Sequence, residues 1–169
     1  METRVIEFGY SSNLGGVEVF IKNIIMNTSI PIDLVATTQD KIPFEDDFVT
    51  KGSRIFRIPS RRSAPSEYKR NIENVLRDHP EIKAAHVHLN SCSSIEALEA
   101  AKKVGMQCIA HSHNSNSNFN KLTKTLHTIN KKRLNIYYCK TLSLYKIFFT
   151  YLQHINSLFY FSFHICTNI

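Results

Sequence analysis

Over residues 1–133, short apolar runs alternate with longer stretches of helical period, the pattern of a parallel sheet covered by helices. Arg4 to Gly9 reads as a first strand that ends in glycine. After the loop Tyr10-Ser-Ser-Asn-Leu-Gly-Gly16, the apolar residues Val17, Phe20, Ile21, Ile24 and Ile25 recur on one face of a helix. Ile32 to Ala36 and Arg54 to Ile58 read as strands, joined by a connection of helical tendency carrying Glu45-Asp46-Asp47. Pro65 suits the first turn of a further helix, whose Tyr68, Ile72, Val75, Leu76 and His79 follow at helical spacing until Pro80 stops it. Ala84 to Leu89 is a buried type of strand, and Ser93-Ser-Ile-Glu96 reads as a capping box. That box predicts a helix with Ile95, Leu98 and Val104 facing inward, closed by Gly105. Gln107 to Ala110 is the next strand, and a helix over about Leu122 to Leu134 follows. The order β-α-β-(α)-β-α-β-α-β predicts an α/β protein: a Rossmann-like open, mainly parallel sheet with helices on both faces.

From Leu134 the texture changes. Residues 134–169 contain no Gly, Pro or acid, have Lys140 and Lys146 as their formal charges, and hold ten of the eighteen aromatics. The expected organisation is therefore one domain over 1–133 and an aromatic-rich tail over 134–169. Gln153, His154, Asn156, Ser157 and His164 interrupt the tail, so it lacks the apolar run of about 18 to 20 residues that a membrane span needs. Its composition is what an AT-rich gene yields when translated out of frame.

Charge is lopsided along the chain. The total is +7, yet residues 1–99 carry twelve basic against fourteen acidic residues, whereas 100–169 carry nine basic and none acidic. A basic half suits nucleic acid, anionic lipid or a phosphorylated ligand, and charge does not choose among them. Cys92, Cys108, Cys139 and Cys166 form no C-x-x-C pair, which disfavours a disulfide framework or a Cys-rich zinc module and points to a reducing compartment. The N-terminus, with Glu2 and Glu7, does not resemble a signal peptide.

Three constellations fall at the C-terminal ends of predicted strands, where open α/β sheets bind ligands. The loop ending in Gly15-Gly16 precedes a helix N-terminus, whose unpaired N–H groups favour an anion. It lacks the full G-x-G-x-x-G, which disfavours a dinucleotide site. His86-Val-His88-Leu-Asn-Ser and His111-Ser-His113-Asn-Ser each alternate so that both histidines of a pair share a strand face. Two such pairs would suit zinc, but no acid follows Glu99 to serve as ligand or base, so no metal is expected.

Taken together, the Gly15-Gly16-Val-Glu-Val-Phe helix, Ile58-Pro-Ser-Arg-Arg, His86-Val-His88-Leu-Asn-Ser and Ile109-Ala-His-Ser-His113-Asn-Ser resemble the N-terminal half of family 4 glycosyltransferases of GT-B architecture, of the type found in bacterial capsular or exopolysaccharide synthesis. The resemblance covers roughly residues 3–136. It implies an acceptor-side domain of a retaining transferase that moves a sugar from a nucleotide-sugar donor to a glycan or lipid-linked acceptor, without an obligatory metal or other cofactor. By resemblance, His113 contacts and orients the transferred sugar, and Asn114 and Ser115 line the same loop. Gly15 and Gly16 lie against the donor diphosphate or the acceptor, His88 supports the acceptor loop, and Arg61 and Arg62 meet an anionic or lipid-pyrophosphate acceptor. A cytoplasmic location is implied, with peripheral attachment to the inner face of the cell membrane, and no nucleic-acid partner is expected.

The chain departs from that family by having no glutamate after Glu99, where members carry two donor-positioning glutamates separated by seven residues in a second domain. The resemblance therefore implies a transferase domain inactive alone, truncated by a frameshift. Alternatives of other classes are a non-catalytic partner domain that completes a split transferase, and a metal-dependent hydrolase built on the histidine pairs.

Overall fold

The computed structural model describes residues 2–89, 92–113 and 121–138. Five strands, β1 (Arg4–Tyr10), β2 (Ile32–Ala36), β3 (Ile55–Arg57), β4 (Ile82–Leu89) and β5 (Gln107–Ser112), form one parallel sheet in the order β3-β2-β1-β4-β5. The helices are α1 (Gly16–Asn27), α2 (Glu45–Thr50), α3 (Pro65–Asp78), α4 (Glu96–Lys103) and α5 (Lys121–Tyr138). This is the expected Rossmann-like α/β fold, and the strand order reverses between β1 and β4, the place where such sheets bind ligands.

The chain divides into two compact units, residues 1–90 with 95–113, and residues 91–94 with 114–169. In the first unit both faces of the sheet are covered. On one face, Ile21 and Ile25 of α1 and Phe48 of α2 close over Ile32, Leu34 and Ala36 of β2. On the other, Ile6 and Phe8 of β1 alternate with the first set and are equally buried, while α4 packs on β4, β5 and α3. The acidic connection is helical as expected: Glu45, Asp46 and Asp47 occupy the first turn of α2, where the helix dipole favours them. The Glu45 carboxylate accepts the Ile42 N–H (2.9 Å) and pairs with Arg57 (2.7 Å).

Two local expectations are corrected. The Ser93–Glu96 box does not set the helix start: α4 begins at Glu96 with Ile95 as its N-cap, two residues after the cap position that the box would give Ser93. Val104, expected to face inward, is the C-cap residue and is exposed, since the chain leaves the helix there and turns through Gly105 at φ +74°. Strand ends also shift: β4 starts at Ile82, whose side chain is buried and which pairs with Arg4, β5 runs to Ser112, and β3 is shorter than expected at both ends.

The second unit includes the 18-residue α5, which continues past the boundary expected at residue 133 to Tyr138. Within this unit, the buried Asn130 amide donates to the Cys92 carbonyl (2.8 Å) and the Cys92 N–H donates to His127 Nδ1 (3.1 Å). No helix among the described residues is long and apolar enough to cross a membrane. The aromatic tail beyond residue 138 lies outside the described residues.

Gly9 is required where β1 slips register between Glu7 and Tyr10. Its φ is +97°, and a Cβ there would sit 2.6 Å from the His88 carbonyl oxygen. Gly9→Ala is expected to cost roughly 3 kcal/mol or more, combining backbone strain of about 1–3 kcal/mol with that clash. Gly52→Ala, at φ +88° with nothing within 4 Å, should cost only about 1–2 kcal/mol. Urea unfolding of the two variants measures the difference, and equal losses would contradict the close approach of β1 to β4.

Candidate functional site

The side chain of Glu7, in the middle of β1, is 1 % exposed. Register sets it beside His86 of β4, and two residues further along β4, His88 pairs with His111 of β5. Because side chains alternate along a strand, Glu7, His86, His88 and His111 share one face of the sheet. His113, just past β5, joins them, and its N–H donates to the Leu89 carbonyl (3.0 Å). Phe20 of α1 caps the group, with its ring edge-on to His88, His111 and His113 at centroid distances of 5.8, 5.0 and 6.2 Å. The imidazoles stack among themselves, His86 on His111 at 5.5 Å and His111 on His113 at 4.4 Å.

Hydrogen bonds order the cluster. His86 Nδ1 lies 3.1 Å from Glu7 Oε1, and His88 Nε2 lies 2.8 Å from Glu7 Oε2. Burial pushes the Glu7 carboxyl up, but the electrostatic and hydrogen-bond pull of His86, joined by His88, outweighs it and holds the group down at about 2. Glu7 is therefore a carboxylate at neutral pH and accepts only, so the two imidazoles donate to it. Burial lowers the His88 pKa despite its bond to Glu7, which leaves His88 neutral with its single proton on Nε2. Its Nδ1 then accepts from His113 Nε2, 2.7 Å away. Glu7, His88 and His113 thus form a chain of fixed tautomers running from the buried centre of the sheet toward its C-terminal end.

The expectation that no acid accompanies the histidines is corrected here. An acid does stand among them, supplied by β1 rather than by the chain that follows. His86, His88 and His111 each offer a ligating nitrogen, all within 4.8 Å of one another.

Gly15 and Gly16 are exposed at the start of α1, Gly15 as the N-cap and Gly16 as the first helical residue. The expected anion site has an acid of its own. Buried Glu18 accepts the Ser11 N–H (3.0 Å) and hydroxyl (2.8 Å), and a Cβ on Gly15 would lie 2.9 Å from Glu18 Oε2. Arg61 lines a cavity of about 330 Å³ over the C-terminal ends of β1 and β2, together with Gly9, Tyr10, Ser11, Ser12 and Tyr68. Its guanidinium is paired with Glu96 at 2.7 Å. Arg62 is exposed. Gly9, which lines the cavity, packs against the His88 backbone of the histidine cluster. Asn114 and Ser115 lie outside the described residues.

No family model matches the chain. Over 119 residues it is 26 % identical to the Bacillus subtilis (strain 168) protein named "Putative glycosyltransferase EpsF", a match covering 68 % of this chain and 31 % of that protein. The relationship is to a glycosyltransferase. The chain spans less than a third of that relative's length. Among solved structures, UDP-glucose 4-epimerase from Bifidobacterium longum, in complex with NAD+ and UDP, superposes with a TM-score of 0.51 at 12 % identity, covering 82 % of this chain and 50 % of that one. At that identity the likeness shows the Rossmann-type fold alone. The C-terminal domain of PF1911 hydrogenase from Pyrococcus furiosus gives a TM-score of 0.46 at 12 % identity, covering 64 % of this chain and 89 % of that one, too low to carry more.

Acid sensitivity follows from the cluster. Burial, reinforced by the neighbouring imidazoles, pushes His111 down to about 3 and His113 down to about 4, from an ordinary 6.5. For these histidines and for Glu7, the unfolded chain takes up protons at a higher pH than the folded one, so stability rises with pH. It should be fully present above about 6.5, fall as the unfolded-state histidines protonate, and fall again below about 4.5 as Glu7 follows. The urea midpoint recorded from pH 7 to pH 4 checks this, and His113→Gln should shallow the slope. A midpoint independent of pH over that range would contradict the buried neutral state of these rings.

Proposed function

We propose that this chain is the acceptor-side domain of a retaining glycosyltransferase of GT-B type, working in bacterial surface polysaccharide synthesis. The observation that carries the reading is the 119-residue similarity to the Bacillus subtilis glycosyltransferase, which spans most of a fold whose switch point holds an ordered polar cluster.

His113 is the residue that meets the transferred sugar. Glu7 and His88 are positioning residues behind it: Glu7 holds the His88 tautomer, and His88 accepts the His113 N–H. His113 Nδ1 is left as an acceptor for a sugar hydroxyl. Gly15 and Gly16 allow close approach of ligand to the loop after β1. The Glu18 carboxylate beneath that loop favours hydroxyl groups of the acceptor there over the donor diphosphate. Arg61, Tyr68 and the hydroxyls of Ser11 and Ser12 receive the acceptor in the neighbouring cavity; by the resemblance, Arg62 also meets the acceptor and Asn114 and Ser115 serve with His113. The acceptor is a glycan or lipid-linked sugar, met at the cytoplasmic face of the membrane, where the lysines of α5 suit anionic lipid. Transfer needs a second wall to bind the nucleotide-sugar, exclude water and align the reacting atoms, so these 169 residues do not turn over alone.

The test is transfer from a panel of nucleotide-sugars to lipid-linked and glycan acceptors, with the chain alone and with the C-terminal part of the Bacillus subtilis relative supplied in trans. The expected result is transfer in the second case only, reduced about twofold to tenfold in kcat/KM by His113→Ala, as for a lost hydrogen bond between neutral groups of roughly 0.5–1.5 kcal/mol. Turnover by the chain alone would overturn the inactivity. A completed enzyme indifferent to His113→Ala would overturn the role of that residue.

A further inference from the structure

We infer that His86, His88 and His111 form a binding site for one divalent first-row transition metal ion, zinc by the chemistry of its donors. The inference stands whether or not the chain is part of a transferase. Three imidazole nitrogens come from two hydrogen-bonded strands, His86 and His88 one repeat apart on β4 and His111 directly across from His88 on β5. Backbone pairing therefore sets their spacing. Three imidazoles with further positions left to water or a ligand oxygen are a donor set that zinc takes.

The candidate ligand atoms already lie within 4.8 Å of one another. Tetrahedral zinc at about 2.0–2.1 Å from each nitrogen would bring the three ligating nitrogens to about 3.3 Å apart, which asks ring rotations to draw them together. Glu7 supplies what such sites use behind their ligands. A metal-bound histidine ordinarily gives its other N–H to a carboxylate, which fixes the ring and raises its basicity. His86 Nδ1 and His88 Nε2 both contact Glu7, so a ring that keeps this bond as a ligand turns its other nitrogen, Nε2 of His86 or Nδ1 of His88, to the ion. Glu7 is thereby shared by two ligands, and its buried negative charge offsets part of the ion's positive charge.

His113 is outside the ligand set. Its N–H occupies the His88 Nδ1 lone pair at 2.7 Å, so ion and His113 compete for the same atom. Metal binding breaks that bond and leaves the His113 ring to turn elsewhere.

The test uses the purified chain, stripped with a chelator and titrated with Zn2+ against a chromophoric competitor, then with Co2+ read by its d–d absorption. One equivalent is expected, with a Co2+ spectrum of low coordination number. His86→Ala and His111→Ala should each weaken binding at least about a hundredfold, and Glu7→Gln about 10–100-fold. His113→Ala should bind as tightly as the parent chain or more so. Far-UV circular dichroism of each variant checks the fold, and the parent titration needs no variant. Absence of a stoichiometric site in the parent chain overturns the inference. So does an equivalent that survives His111→Ala in a folded protein, which would put the ion on others of the chain's eight histidines. Loss of binding in folded His113→Ala would overturn the ligand set.

Discussion

A carboxylate buried in the centre of the sheet governs the arrangement around it. Glu7 has almost no exposure to water, and an ion so placed costs several kcal/mol unless its lone pairs are answered. The answer comes from His86 and His88, which can reach it only if β4 lies directly beside β1. That adjacency is also where the strand order reverses, so the demand of one acid coincides with the switch point at which sheets of this kind bind ligands. Gly9 follows from the same constraint, because no Cβ fits between β1 and the His88 backbone. Phe20 follows as well: its ring covers the imidazoles and keeps water from competing for their hydrogen bonds.

The opposite end of the sheet is built differently. There Asp33, also fully buried, receives bonds from Arg4 (2.6 Å) and Arg54 (2.6 Å), and Arg54 pairs in turn with Glu81 (2.6 Å). Burial raises the Asp33 pKa, but its guanidinium partners overcome this and hold it below the usual carboxylate range. Each charge in this network is met by a geometrically fixed partner of opposite sign, so the strand starts are pinned. The strand ends carry neutral imidazoles in place of guanidinium groups. Imidazoles exchange partners and protons where a guanidinium does not, and that difference separates an anchor from a site.

How far the sequence foretold this varies with the range of the interaction concerned. The elements were legible because their signals are local: helical recurrence of Val17 to Ile25, Pro65 at a helix start, Gly105 at a helix end. Both histidine pairs were legible for the same reason, since alternation by two is a property of a single strand. Glu7 was not, because 79 residues separate it from His86 and 81 from His88. The one available signal was an acid set between Ile6 and Phe8 in the apolar middle of a strand, a position that demands a buried partner. The start of α4 was displaced from the box for a related reason. Ser93 and Glu96 have the right spacing, but where the chain begins to coil is decided by tertiary packing around Ile95 and Leu98.

Formal charge is a poor guide to what this surface would accept. The total of +7 suggests a site for anions, yet the two places where an anion was expected are already occupied by acids of the chain itself. Glu18 lies under the Gly15-Gly16 loop, and Glu96 is paired with Arg61 at the cavity wall. An external phosphate at either place would first have to displace or repel a carboxylate held at hydrogen-bond distance. A neutral, hydroxyl-rich ligand faces no such opposition, since the hydroxyls of Ser11, Ser12 and Tyr68 and the paired guanidinium offer it hydrogen-bonding groups without a change of charge. The local pairing of charges, rather than their sum, therefore decides what the crevice after β1 would accept.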